Sequence, residues 1–300
     1  MSSAIGAALF ANGVVAGAKT IGAVVTGSAS MAAEAIHSFA DCGNQLLLMW
    51  GLRSSNQKPD SDHPFGYGMN IYFWSFIVAL VLFTLGGTYS IYEGVHKVIN
   101  PEPLKHAGWA VAILVLGFIM ELRSFRVCVK EIREAYPGKS LIWFFNETRD
   151  PSLLVIFGED AAALLGLGIA AAFLGLAVAT GNPVWDAVGS IIVGVLLCTV
   201  AVFLFWETKA LLIGQSVDPN DRAALRDFLS DSPLVEHTYE IKTLSLGNSK
   251  ALLLIRARFK ETENALKLLD NINDLEKGLH AAFPQFEMIF VEPDNKFADY

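Results

Sequence analysis

The chain has 300 residues, of which 53% are hydrophobic and only 17% charged, and its mean hydropathy is +0.44. Roughly 25% charge is usual for a soluble domain, so the composition excludes an ordinary soluble globular protein and also a disordered one. A formal charge of −8 argues against a nucleic-acid partner, and the three cysteines (Cys42, Cys128, Cys198) lie in apolar runs without a C-x-x-C, which excludes a disulfide framework or zinc knuckle.

The apolar residues are concentrated before about residue 208. A spanning helix needs about 20 mostly apolar residues, and six segments qualify: 4–25, 30–50, 72–98, 107–127, 151–179 and 184–206. Pro151 suits the first turn of a helix, and Gly181, Asn182 and Pro183 form a tight turn between the last two. A cleaved signal peptide is a poor reading of the start, because no basic region precedes Asn12 and Lys19. The loop between spans two and three carries Arg53 and Lys58. The segment between four and five carries Arg123, Arg126, Lys130, Arg133, Lys139 and Arg149, whereas the other loops offer only Lys97 and Lys105. This asymmetry places the basic loops, both termini and the tail in the cytoplasm.

The pattern changes after Glu207. Residues 219–229 read as an amphipathic helix, 239–246 and 251–260 as strands joined by a turn at Gly247 and Asn248, and 262–283 as a second helix. That helix shows Leu266, Leu269, Ile272, Leu275 and Leu279 on one face. Residues 286–291 read as a third strand, stopped by Pro293. The expected fold is a membrane all-α bundle of six transmembrane helices over 1–208. A C-terminal cytoplasmic α+β domain over 209–300 follows, with ferredoxin-like αββαβ order, small enough to lean on a second copy.

Ionisable residues inside a membrane cost about 2.5–3.5 kcal/mol each on insertion scales, so a functional role is the default reading. Span two holds Glu34, His37 and Asp41 at i, i+3 and i+7, on one helix face that Gln45 continues. Span five holds Glu159 and Asp160, about 100° apart around the helix. Imidazole nitrogen with carboxylate oxygens is a ligand set for a borderline divalent metal such as Zn²⁺. His37, Asp41 and Asp160 are the candidate metal ligands, with Glu159 and Glu34 as further candidates; a buried ion pair or polar helix clamp is the alternative. Glu34, nearer a membrane end, also reads as a solvated residue. Lys19 reads as neutralising a carboxylate or snorkelling, since it would repel a metal. Asp186 reads as a partner of the helix dipole at the start of span six. In the loop 58–68, His63 with Asp60 and Asp62 could hold a metal at the inner mouth, or form a plain polar turn. Gly13, Gly17, Gly166, Gly168, Gly189 and Gly194 would let helices approach closely.

The run GSASMAAEAIHSFADCGNQLLLMWG (27–51), followed by HPFGYG (63–68), resembles the cation diffusion facilitators. GQS (214–216), TLSLG (243–247) and FVEPD (290–294) in the tail are similar to the same family. The ED pair and the EAIHSxADxGNQ wording resemble the subfamily that includes a mitochondrial zinc transporter. The resemblance implies a homodimeric metal/proton antiporter exporting zinc, with iron, cobalt and manganese as alternatives. It implies a transport site made from two residues four apart on span two, here His37 and Asp41, and two four apart on span five. There Asp160 matches, Ile156 stands where a histidine or aspartate is usual, and Glu159 looks like its substitute. Tyr239, Ile255 and Phe290 occupy ligand positions of the dinuclear tail site found in some members, which implies dimerisation without that site. Tyr67 likewise replaces a second histidine in the inner loop.

The expected function is alternating access: cytoplasmic metal passes His63, binds between spans two and five, and is expelled when protons compete for the same ligands. Zn²⁺ and H⁺ are cargo, with no prosthetic cofactor; a second copy of the chain and the lipid bilayer are the expected partners. The short amino terminus favours a bacterial inner membrane. The alternatives are a metal-sensing or assembly protein without flux and an intramembrane metal-dependent enzyme.

Overall fold

The computed structural model describes residues 2–103, 107–148, 150–247, 250–261 and 264–295. The elements run α1 (Ser2–Thr26), α2 (Ala29–Ser55), α3 (Asn70–Val81), α4 (Tyr89–Ile99), α5 (Ala107–Ala135), α6 (Leu141–Glu147), α7 (Pro151–Thr180), α8 (Val184–Leu212), α9 (Pro219–Ser230), β1 (Val235–Gly247), β2 (Lys250–Phe259), α10 (Ala265–Ala282) and β3 (Phe286–Pro293). A π-helical stretch, Leu82–Thr88, joins α3 to α4. The fold is mostly helical, with a mixed α/β portion at its C-terminal end.

Among the described residues, three helices are long and apolar enough to cross a membrane: the continuous Asn70–Ile99, α7 and α8. α1, α2 and α5 have 25, 27 and 29 residues, a reach of about 40 Å at 1.5 Å per residue. Their lower hydropathy comes from charged and polar residues, many of them turned inward: Lys19, Glu34, His37 and Asn44 are all buried. The outside is the reverse. Val24, Leu85, Ile119, Leu165 and Val195 are exposed, as are Trp50, Trp109 and Trp206 towards helix ends. Apolar side chains outside with charges inside is the distribution a hydrocarbon solvent demands, and tryptophans favour its interfaces.

Local chemistry sets the boundaries. Ser28 caps α2 by accepting from the Met31 N–H. Asp150 caps α7 by accepting from Ser152 and Leu153, with Pro151 in the first turn. Gly181 ends α7 at φ +68, where a side chain would be strained. The bundle core is built from Leu48, Val78, Leu82, Leu154, Val193, Leu197 and Leu204. Of the six glycines expected at close approaches, three serve that purpose. A Cβ on Gly166 would stand 2.9 Å from Glu34 Oε1, one on Gly189 2.6 Å from Phe173, and one on Gly194 2.7 Å from Ile91. Gly13, Gly17 and Gly168 have nothing within 4 Å.

In the tail, β1 pairs antiparallel with β2, and β2 parallel with β3. Leu253, Ile255 and Ala257 alternate onto the face covered by α9 and α10, where they meet Leu225, Leu229, Leu275 and Leu279. Leu254 points the other way and is exposed. The tail, the loop after α2 and the segment after α5 gather at one end of the bundle. Gly68 of the HPFGYG run lies directly against the backbone of Leu246 and Gly247, and Ile71 and Tyr72 pack on Leu211.

Several sequence expectations need correction. α5 continues to Ala135, past the expected limit at 127, so Lys130 and Arg133 ride on the same helix as Arg123 and Arg126 instead of lying in a loop. α6 was not expected; its aromatic residues fill the cleft beside α7 and α8, with Phe145 stacked on Phe203 at 4.2 Å. On α10, Leu266 and Leu269 are exposed, because the buried stripe is Leu268, Ile272, Leu275 and Leu279. At 100° per residue, those four fall within a narrow arc that leaves Leu266 and Leu269 outside. Asn248 and Thr262 lie outside the described residues.

Candidate metal site

α2 presents a polar face along its length. His37 Nδ1 lies 3.5 Å from Asp41 Oδ1, with side chains 1% and 16% exposed. Neither His37 nitrogen has a hydrogen-bond partner among the described residues, and the buried Asp41 Oδ1 also lacks one. Unsatisfied buried polar atoms are rare and ask for an explanation. A lone pair on imidazole beside a carboxylate oxygen fits a cation ligand.

α7 supplies the second set. Glu159 Oε1 accepts from Asn44 Nδ2 of α2 at 2.5 Å, and Asp160 Oδ2 accepts from Ser124 Oγ of α5 at 3.1 Å. The 100° step between adjacent helical residues thus sends one acid to α2 and its neighbour to α5. Asp41, Glu121, Glu159 and Asp160 line one cavity of about 260 Å³, together with Gln45, Ser124 and Ile156. His37 is not part of that lining; it reaches the cavity through its contact with Asp41. Ile156, one turn before Asp160, does face the cavity, but with an apolar side chain.

Glu121 escaped the sequence reading. It stands in the apolar run of α5, inside the expected span 107–127, two residues before Arg123. Its signal was an acid in the middle of a spanning-length helix. Among the described residues, no three His, Cys, Asp or Glu side chains stand close enough to hold one ion. The α2 and α7 donors share a cavity without converging on a point.

Glu34 is not solvated. It is wholly buried and pairs with Lys19 of α1, whose Nζ is 3.2 Å from Glu34 Oε2, 3.9 Å from Glu121 Oε1 and 2.7 Å from Ser38 Oγ. Lys19 therefore neutralises a carboxylate. Asp186 stands in the first turn of α8, as expected, and reaches α2 as well. Its carboxylate accepts from Ser28 Oγ at 2.8 Å and from the Ala29 N–H at 2.7 Å, so it completes the cap of α2 from the first turn of α8. Asn12 lies outside the residues whose side chains are described.

The inner loop has the geometry of a polar turn. Asp60 Oδ1 accepts from the backbone of Asp62 and His63, and Oδ2 from the Tyr67 hydroxyl at 2.7 Å. These bonds, the Tyr67 one foremost, hold the Asp60 carboxyl below the ordinary carboxylate range. His63 is half exposed, 3.6 Å from Asp60, with its ring over Tyr67. In the tail, Ile255 is in the core and Phe290 is exposed, and His237 and His280 are exposed.

A second cavity, of about 620 Å³, lies between the bundle and the tail. It is lined by Glu131, Asp150, Asp218, Asp221 and Lys250 among others, and it shares Leu52, Glu131 and Ile156 with the site cavity. The two cavities are thus neighbours at the tail end of the bundle.

Comparison with known proteins agrees with this architecture. Residues 5–213 match the family described as the cation efflux transmembrane domain. The chain is 38% identical over 245 residues to the proton-coupled zinc antiporter SLC30A9, mitochondrial, of Homo sapiens, covering 81% of this chain and 43% of that protein. It is 36% identical over 217 residues to metal tolerance protein C4 of Arabidopsis thaliana, covering 72% and 48%. It is 27% identical over 234 residues to magnetosome protein MamB of Magnetospira sp. (strain QH-2), covering 76% and 73%. The chain spans less than half the length of the first two relatives.

Proposed function

The chain belongs to the cation efflux family, and on that premise we propose that it is a divalent-cation/proton antiporter that exports zinc from the cytoplasm by alternating access. This is transport, which sets aside the intramembrane enzyme. The observation that carries the proposal is the buried His37–Asp41 pair, with unpartnered donor atoms, beside a cavity lined by Glu159 and Asp160. A relative named as a proton-coupled zinc antiporter supports zinc and protons as the cargo.

Six helices cross the membrane in this reading: α1, α2, the α3–α4 helix, α5, α7 and α8. Residues 1–208 form the transport unit and 209–300 a cytoplasmic unit through which two copies associate. The basic ends of α2 and α5 face the cytoplasm with the tail, so the cavity between bundle and tail is the cytoplasmic vestibule. Zinc passes His63 and Asp60 at the loop, enters along Glu131, and is held by His37, Asp41 and Asp160 once α2 and α7 draw these donors together. Glu159 completes the shell from its place on Asn44. Ligands must be deprotonated to hold metal, so loading releases protons. After the helices rock to open the far side, protons returning to His37 and the carboxylates expel the ion.

The test is Zn²⁺ movement in proteoliposomes under an imposed pH gradient. Flux that follows the gradient, reverses with it and stops when an ionophore collapses it is the expected result. Metal bound but not moved, with iron, cobalt and manganese also tried, would replace the antiporter by a sensing or assembly role.

A further inference from the structure

We propose that the Lys19 ammonium occupies a second cation position in the bundle, reserves Glu34 for itself, and so fixes the site's capacity at one divalent ion. The inference rests on the transport-site reading above and adds a residue that determines what the site accepts.

Glu34 would otherwise belong to the metal. It lies three residues before His37 and seven before Asp41, on the same face of α2. What separates it from them is Lys19. The ammonium is surrounded by three oxygens from two helices: Glu34 Oε2 at 3.2 Å, Ser38 Oγ at 2.7 Å and Glu121 Oε1 at 3.9 Å. Two carboxylates and a hydroxyl around one positive charge are oxygen donors of the type a divalent cation also takes.

The surroundings are built to take this side chain. Lys19 and Glu34 are both 0% exposed. On α5, a Cβ at Gly117 would stand 3.1 Å from Lys19 Cε, and on α7 a Cβ at Gly166 would stand 2.9 Å from Glu34 Oε1. Glycine at each place leaves room for one member of the pair. Glu34 Oε1 has no hydrogen-bond partner among the described residues, so one oxygen remains free when the other is held. Glu121 touches both regions: it faces the ammonium and also lines the cavity with Asp41 and Asp160. A tethered charge there repels a second divalent ion, while the first stays one helical turn further along α2.

The experiment is equilibrium Zn²⁺ binding to the purified full chain, with stoichiometry read by metal analysis. Lys19→Ala and Lys19→Gln each remove the charge, and the glutamine keeps a donor for Ser38. Both are expected to bind one more Zn²⁺ per chain than the unsubstituted protein. Lys19→Arg, which keeps the charge, is expected to add none, and adding Glu34→Gln to either neutral variant is expected to remove the extra ion. A folded neutral variant with unchanged stoichiometry overturns the proposal. Should both neutral variants fail to fold, Glu34→Gln alone decides. Zinc affinity within about twofold of the unsubstituted protein supports a reserved Glu34, and a loss of tenfold or more makes it a ligand and overturns the proposal. If the unsubstituted protein binds no Zn²⁺, it is the transport-site reading that fails.

Discussion

Asn44 Nδ2 donates to Glu159 Oε1 at 2.5 Å, and this bond ties α2 to α7 at the level where both helices carry carboxylates. Asn44 is wholly buried and Glu159 nearly so. The acid is held on a neutral donor of the neighbouring helix and is not left to find solvent. Leaving a buried polar group without its partner costs about 1–3 kcal/mol.

Asn44→Ala is therefore expected to lower stability by about that amount, and to weaken Zn²⁺ binding because Glu159 loses its fixed position. Thermal unfolding in detergent and a zinc isotherm on the same preparation check both effects. Unchanged binding with lowered stability would make Asn44 a helix clamp only.

Ile156 faces the cavity one turn before Asp160. If Glu159 substitutes for a missing donor at that position, Glu159→Gln should weaken zinc binding at least tenfold. Ile156→His in the same background should then restore most of it. A double variant no better than Glu159→Gln would remove Glu159 from the ligand set.

Asp186 caps a helix that begins 157 residues earlier in the chain, through the Ala29 N–H. Loss of a helix cap costs about 0.5–2 kcal/mol. Asp186→Ala should lower the unfolding temperature while leaving zinc stoichiometry unchanged, since Asp186 does not line the site cavity. A changed stoichiometry would assign it a part in binding.

Gly247 has φ +85 and its backbone lies against Gly68. Gly247→Ala meets the left-handed penalty of about 1–2 kcal/mol and displaces the loop carrying His63. Faster proteolysis within 60–68 is the expected outcome; an unchanged digestion pattern would show that this contact does not brace the loop.

Much of this architecture was legible in the sequence because the membrane imposes length and polarity together. Each long apolar run became a helix that starts within two residues of its expected limit, though α2, α5 and α8 run five to eight residues further, and the α2 face of Glu34, His37 and Asp41 followed from helical spacing alone. Contacts between distant segments were not legible. Nothing in the order of residues links Ser28 to Asp186, or Asn44 to Glu159. Glu121 was passed over inside the span 107–127, and Lys19 could be read as neutralising a carboxylate without showing which one. The short α6 carries no periodic signal, because seven residues make barely two turns. On α10 the leucine stripe was drawn about 100° too wide, a local ambiguity that only the sheet beneath the helix resolves.

The central claim is that one site between α2 and α7 carries both zinc and protons. The most direct test is gradient-driven Zn²⁺ flux in proteoliposomes of Asp41→Ala and of Asp160→Ala, reconstituted at equal protein and checked for folding. The account predicts that each single substitution abolishes the flux. Gradient-driven flux persisting in either variant would contradict it.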